Sequence, residues 1–107
     1  MPLLTLATDA WQCALIVSDQ KGDPLVVDQF PWSQAANRLR RVLSDFAVTK
    51  VIVAMTYRHR WLLALIWSLR PEAAVVLVHP RALGTVRPIG EIARRALRHY
   101  LKGSERG

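Results

Sequence analysis

Five consecutive residues, Thr56 to Arg60, carry two guanidinium groups, an imidazole, a phenol and a hydroxyl, and no acid. They follow the apolar run Val51 to Ala54, which reads as a buried strand. Open α/β sheets place their chemistry just beyond the carboxyl ends of strands. The cluster is therefore an active site, a phosphate-gripping surface, or an active site that has lost its acids. His59 lies between Arg58 and Arg60 and reads as part of a cationic surface. His79 ends another apolar run and reads as a hydrogen-bonded structural residue. Two histidines with no Cys, Asp or Glu close in sequence are a poor metal set, so no metal site is expected. No Ser-His-Asp arrangement is visible. Gly84 and Gly90 lack the Gly-Lys-Ser/Thr of a phosphate loop. Cys13 is the single cysteine, so no disulfide can form within the chain, and its apolar neighbours mark a core position.

The charge is placed unevenly. The 107 residues carry a formal +7. Residues 1–32 hold Lys21 against four Asp, a net of −3, and residues 33–107 hold fourteen basic residues against four acids, a net of +10. Most of the basic residues are Arg, whose planar fork suits phosphate oxygens. The basic constellation comprises Arg58, Arg60, Arg81, Arg87, Arg94, Arg95, Arg98 and Lys102, and its natural counter-ion is nucleic acid, DNA or RNA. A merely solvated cationic face is the alternative. His99 adds charge on the same surface below neutral pH.

Those side chains need a scaffold. Leu3 to Thr8 and Gln12 to Ser18 read as strands. Asp19 to Asp23 reads as a hairpin turn around Gly22, and Pro24 to Phe30 returns as a third strand. Ser33 is a candidate N-cap for a helix whose apolar positions Ala35, Ala36, Leu39, Val42, Leu43 and Phe46 share one face. Lys50 to Met55 and Ala73 to Pro80 are the fourth and fifth strands, and their continuous apolar runs predict burial on both faces. Between them, Arg58 to Leu69 predicts a helix apolar nearly all round. Such a helix is either deeply buried or faces a partner, with Trp61, Leu65 and Trp67 as the interface residues of a homodimer or protein complex. The loop from His79 leads to Pro88, which opens a last helix to about Lys102. One domain over residues 1–102 is expected, with 103–107 a flexible tail. The order βββαβαβα gives an α/β fold with one mixed five-stranded sheet flanked by helices.

That order is the core of the RNase H-like fold. The hairpin "CALIVSDQKGDPLVVDQFP", the helix "WSQAANRLRRVL", the strand and helix "VIVAMTYRHRWLLAL" and the turn "VVLVHPRAL" resemble the N-terminal RuvC-like domain of DEDD-type insertion-sequence transposases. The resemblance spans about residues 3–87, and "VHPR" is its most specific piece. It implies a DNA-processing or mobile-element-derived setting. It also implies carboxylates converging on Mg²⁺ or Mn²⁺, since phosphodiester chemistry of this kind needs acid oxygens to hold the ions. Here the first Asp of the pattern falls on Thr5 and the strand-end Glu falls on Ala54. The later helix offers only Glu91. Asp9 replaces Thr5 only at the expense of the hairpin register.

The expectation is thus a non-catalytic RNase H-like module that binds nucleic acid and needs no cofactor. A metal-dependent nuclease built on Asp9, Glu91 and a third acid is the enzymatic alternative, and dimerisation through residues 61–69 is the other. Four tryptophans bear on both. Trp61 and Trp67 read as core or interface, Trp32 packs at the start of the first helix, and Trp11, at a strand junction, reads as an exposed aromatic able to stack on bases. No segment approaches the ~20 apolar residues of a membrane span, and no secretory leader is visible, so a soluble, cytoplasmic protein is expected.

Overall fold

Apolar alternation and apolar runs divide the chain into elements, and the computed structural model describes residues 2–84 and 88–106 of it. Arg87 lies outside the described residues. The strands are β1 (Leu3–Thr8), β2 (Gln12–Ser18), β3 (Pro24–Pro31), β4 (Lys50–Ala54) and β5 (Ala74–Val78). The helices are α1 (Ala35–Asp45), α2 (His59–Leu69), the single turn α3 (Pro80–Leu83) and α4 (Ile89–Arg106). The sheet order is β3-β2-β1-β4-β5. β1, β2 and β3 form an antiparallel meander, while β4 pairs parallel with β1 and β5 parallel with β4. This is the mixed five-stranded sheet expected from the sequence.

β1 is central and every one of its residues is buried. Leu4, Leu6, Leu15, Val51 and Val53 face a core closed by Leu39 and Leu43 of α1 and Leu62 and Ile66 of α2. Leu3, Ala7, Ala14, Ile16, Ile52 and Ala54 face the other way, onto Ile89, Ala93, Ala96 and Leu97 of α4. The hairpin between β2 and β3 is held by Asp19, whose carboxylate accepts from the amides of Lys21 and Asp23, with Gly22 at φ 95°. A non-glycine residue would be strained there.

Several expectations need correction. β5 is not buried on both faces: it is an edge strand, and Leu77 is 45% exposed. Its unbroken β-branched run reports strand propensity rather than position in the sheet. Ser33 is not an N-cap. It sits in a 3₁₀ turn, Trp32–Gln34, and α1 begins at Ala35 without a side-chain cap bond. A short helix, α3, forms where a loop was expected, because His79 caps it and Pro80 is pre-set for its first turn. α4 runs through Gly103 to Arg106 rather than ending at Lys102, so residues 103–106 are helical. A lone glycine costs a helix only about 1 kcal/mol, which its neighbours can outweigh. No helix among the described residues is long and apolar enough to cross a membrane.

Cys13 lies in the α1/α2 core, fully buried and unpaired. Burial, helped by the carboxylates of Asp28 and Asp9, pushes its thiol from 9.0 up to about 12. Between those values the unfolded chain carries a thiolate and the folded chain a thiol. The unfolded state then binds fewer protons, so stability falls as pH rises. Urea midpoints should show this. Between about pH 8 and about pH 10 the wild type should lose about 1 kcal/mol more than Cys13→Ala. Parallel losses in the two proteins would contradict it.

Candidate nucleic-acid interface

The carboxyl ends of β1, β4 and β5 meet in one corner. The β1 end is tied to the segment after β4: the Thr8 amide donates to Thr56 Oγ1 at 3.2 Å and Thr8 Oγ1 donates to the Tyr57 carbonyl at 2.5 Å. The Met55 amide donates to the Val78 carbonyl at 3.0 Å, adding the β5 end. His59 Nδ1 lies 3.0 Å from the Thr56 carbonyl, and His79 Nδ1 accepts from the Arg81 amide at 3.2 Å. Both imidazoles thus start helices. Arg58 precedes α2 with φ 67° and ψ 15°, a left-handed conformation for a residue with a side chain. Among the described residues it is the only non-glycine residue with positive φ. Its guanidinium stands 5.6 Å from the Tyr57 ring centroid and 5.0 Å from that of Trp61.

The positions where the resemblance would place acids lie beneath α4. Thr5 and Ala54 are both fully buried. The β1–β4 register pairs Thr5 with Ile52 and Leu6 with Val53, which sets Ala7 beside Ala54. Ala7 and Ala54 share one apolar cluster with Ile89, Ala93 and Ala96 of α4. Asp9 lies past the end of β1, where its Oδ1 accepts from the amides of Trp11 at 2.7 Å and Gln12 at 2.6 Å. Glu91, in the first turn of α4, faces Arg95 at 3.6 Å and Arg98 at 3.4 Å. Among the described residues no three His, Cys, Asp or Glu side chains come together as a cation would require. These residues do not fit a pair of divalent ions.

The basic residues do not converge on one point. α2 packs on one face of the sheet and α4 on the other, so their charges diverge. Arg58, Arg60 and Arg81 are exposed around the strand ends, and Arg94, Arg98 and Lys102 are exposed along α4. Arg95 is tied into the fold, since besides meeting Glu91 it donates from Nη1 to the Leu83 carbonyl at 2.8 Å and so pins α3. Together with Ala82 and His99, the residues Arg95, Arg98 and Lys102 line a shallow cleft of about 190 Å³. The sequence reading missed Lys21, which joins Arg94 and Arg98 across a groove of about 290 Å³ between α4 and the β2–β3 hairpin. No pattern along the chain links residues so far apart.

The aromatic expectations divide. Trp11 is 79% exposed, as foreseen, and Trp32 is half-buried beside α1 with its Nε1 donating to the Asp9 carbonyl at 2.9 Å. Trp61 and Trp67 are not core: they are 65% and 48% exposed. Leu62 and Ile66 carry the buried stripe of α2 instead. Leu65 is half-buried and lines, with Trp32, Ala36, Trp61 and Ala64, an apolar groove of about 610 Å³ between α1 and α2.

Solved structures share this architecture. Thermus thermophilus RuvC superposes with a TM-score of 0.71 at 17% identity, over 98% of this chain and 96% of that one. T. thermophilus RuvC in complex with Holliday junction substrate gives 0.72 at 16% identity over the same shares. The fold is RNase H-like. Fowlpox virus resolvase, in complex with substrate Holliday junction DNA, superposes at 0.55 and 11% identity, over 80% of this chain and 65% of that one. No family model matches the chain, and no curated protein matches it in sequence. The likeness to RuvC and a viral resolvase carries the fold. The narrower resemblance to insertion-sequence transposases rests on the sequence segments alone.

Thr5 gives a direct probe of the position where the resemblance places the first acid. Its Oγ1 is buried and has no hydrogen-bond partner among the described residues. A buried, unsatisfied hydroxyl costs about 1–3 kcal/mol. Thr5→Val keeps the shape and removes the hydroxyl, so it should raise unfolding stability by about 1 kcal/mol in urea titration. A loss of stability would show that the hydroxyl has a partner and that the site is not dry.

Proposed function

We propose that this chain is a non-catalytic RNase H-like module that binds nucleic acid, with branched DNA the first candidate. The observation that carries this is a contrast between two places in one fold. Where the resemblance calls for carboxylates, Thr5 and Ala54 are fully buried, Ala54 within the apolar cluster that includes α4. Around that place and along α4, cationic side chains stand in solvent. Arg58, Arg60, Arg81 and Arg94 have no carboxylate within 4.0 Å among the described side chains. Arg87 joins them by sequence. Structural neighbours that hold Holliday junctions support DNA as the polyanion. A soluble, cytoplasmic place within a larger DNA-processing or mobile-element-derived system follows as part of the same reading. The Mg²⁺- or Mn²⁺-dependent nuclease built on Asp9 and Glu91 is disfavoured, because both carboxylates are engaged locally.

A second reading, compatible with the first, is homodimerisation through α2. Trp61 and Leu65 line the apolar groove between α1 and α2, Trp67 is exposed on the same helix, and large exposed aromatics of this kind are enriched at interfaces. A clean monomer by sedimentation at micromolar concentration would remove it.

Binding of a four-way junction and of a duplex, measured by anisotropy at several salt concentrations, tests the main reading. About six phosphate contacts should make log K fall by roughly 5 per decade of salt. Arg94→Ala and Lys102→Ala should each weaken binding and lower the slope by about 1. Absent or salt-independent binding would overturn it.

A further inference from the structure

We propose that Trp11 is a stacking platform for an unpaired nucleobase and that Arg58 grips a phosphate of the same strand. The inference rests on the nucleic-acid reading above and narrows it to strands, ends or branch points whose bases are free. Trp11 is the most exposed of the large apolar side chains. Leaving an indole in water is unfavourable, yet its backbone is held on both sides. The Asp9 carboxylate accepts from the Trp11 amide, and the Trp11 carbonyl accepts from the Trp32 amide at 3.2 Å. The ring itself makes no hydrogen bond and no ring contact among the described residues, so a rigid turn presents a free π face. Successive bases of a single strand stack on such rings regardless of sequence.

Arg58 belongs to an aromatic cluster that is joined to the Trp11 turn through a backbone hydrogen bond. Trp32, bonded through its amide to Trp11, meets Trp61 edge-on with centroids 6.3 Å apart, and Trp61 carries the Arg58 guanidinium. Tyr57 supports the same group. Ring contacts occupy the flat face of a guanidinium and leave its N–H edge for phosphate oxygens. The left-handed backbone at Arg58 is unfavourable for any residue but glycine, and such conformations gather at functional sites. A strand crossing this surface would put a base on Trp11 and a phosphate on Arg58. In a duplex each base face is already covered by its neighbours, so Trp11 gains nothing there. The Asp9 carboxylate is held by the amides of Trp11 and Gln12, and the exposed Arg58 and Arg60 suit the surface to a polyanion rather than to a basic protein segment.

The test is anisotropy of a labelled oligo(dT) strand and of a labelled blunt duplex with the full chain. Trp11→Ala should weaken oligo(dT) binding about tenfold and change duplex binding by less than about twofold. Trp11→Phe, which keeps a ring, should recover most of the loss. Arg58→Ala should weaken oligo(dT) and lower its salt slope by about 1. Unchanged unfolding midpoints would confirm that the variants are folded. If Trp11→Ala binds oligo(dT) as the wild type does while duplex binding persists, the platform is refuted and the nucleic-acid reading survives. If the wild type binds neither, both fail. If Trp11→Ala instead changes the sedimentation coefficient, the residue belongs to a protein interface and the proposal is overturned.

Discussion

The apolar contact between α4 and the central strands is the constraint on which the rest of the molecule depends. Ala7 and Ala54 lie side by side on β1 and β4, and Ala93 and Ala96 belong to the same apolar cluster. All four are fully buried. A carboxylate placed there would lose its hydration and find no cation, which costs several kcal/mol unless it is neutralised. Packing and metal chemistry therefore exclude one another at this spot. The helix is fixed to the sheet by this apolar contact.

With the interior of the sheet closed to charge, the basic excess has to lie outside it, and there it divides into two groups. Arg70 donates to the carbonyls of Val48 and Leu43, closing the loop after α1. Arg38 binds Asp28 on β3 at 2.9 Å, and Arg95 pins α3. These are intramolecular ties. Arg58, Arg60, Arg81, Arg94 and Lys102 face solvent, the four arginines with no acid beside them among the described side chains, and they give the surface its field. A field of that sign attracts polyanions and makes their binding salt-dependent.

Much of the fold was legible because the strands and helices differ in apolar period. "QCALIVS", the Gly22 turn and the stripe of α1 each follow from one local rule, and together they fix the order of elements. What was not legible depended on neighbours in space. β5 has the composition of a buried strand and lies at an edge. Trp61 and Trp67 have the hydropathy of core residues, yet Leu62 and Ile66 point inward instead, since a helix on a sheet buries one stripe. At the candidate site, the uncharged residues Thr5 and Ala54 were readable from the pattern, but the placing of Ala7 beside Ala54 needed the strand register. The eight basic residues read as one constellation because they crowd the second half of the chain. The sheet then separates α2 from α4 and with them the charges.

The most direct test of the closed interior is a cleavage assay. The full chain would be incubated with a four-way junction, a single strand and a duplex in Mg²⁺ and in Mn²⁺, with Glu91→Gln as the control. The expected result is binding without cleavage in either metal and no difference between the two proteins. Metal-dependent cleavage that Glu91→Gln abolishes would mean that acids do meet around an ion, and that the alanine contact beneath α4 is not what occupies the site.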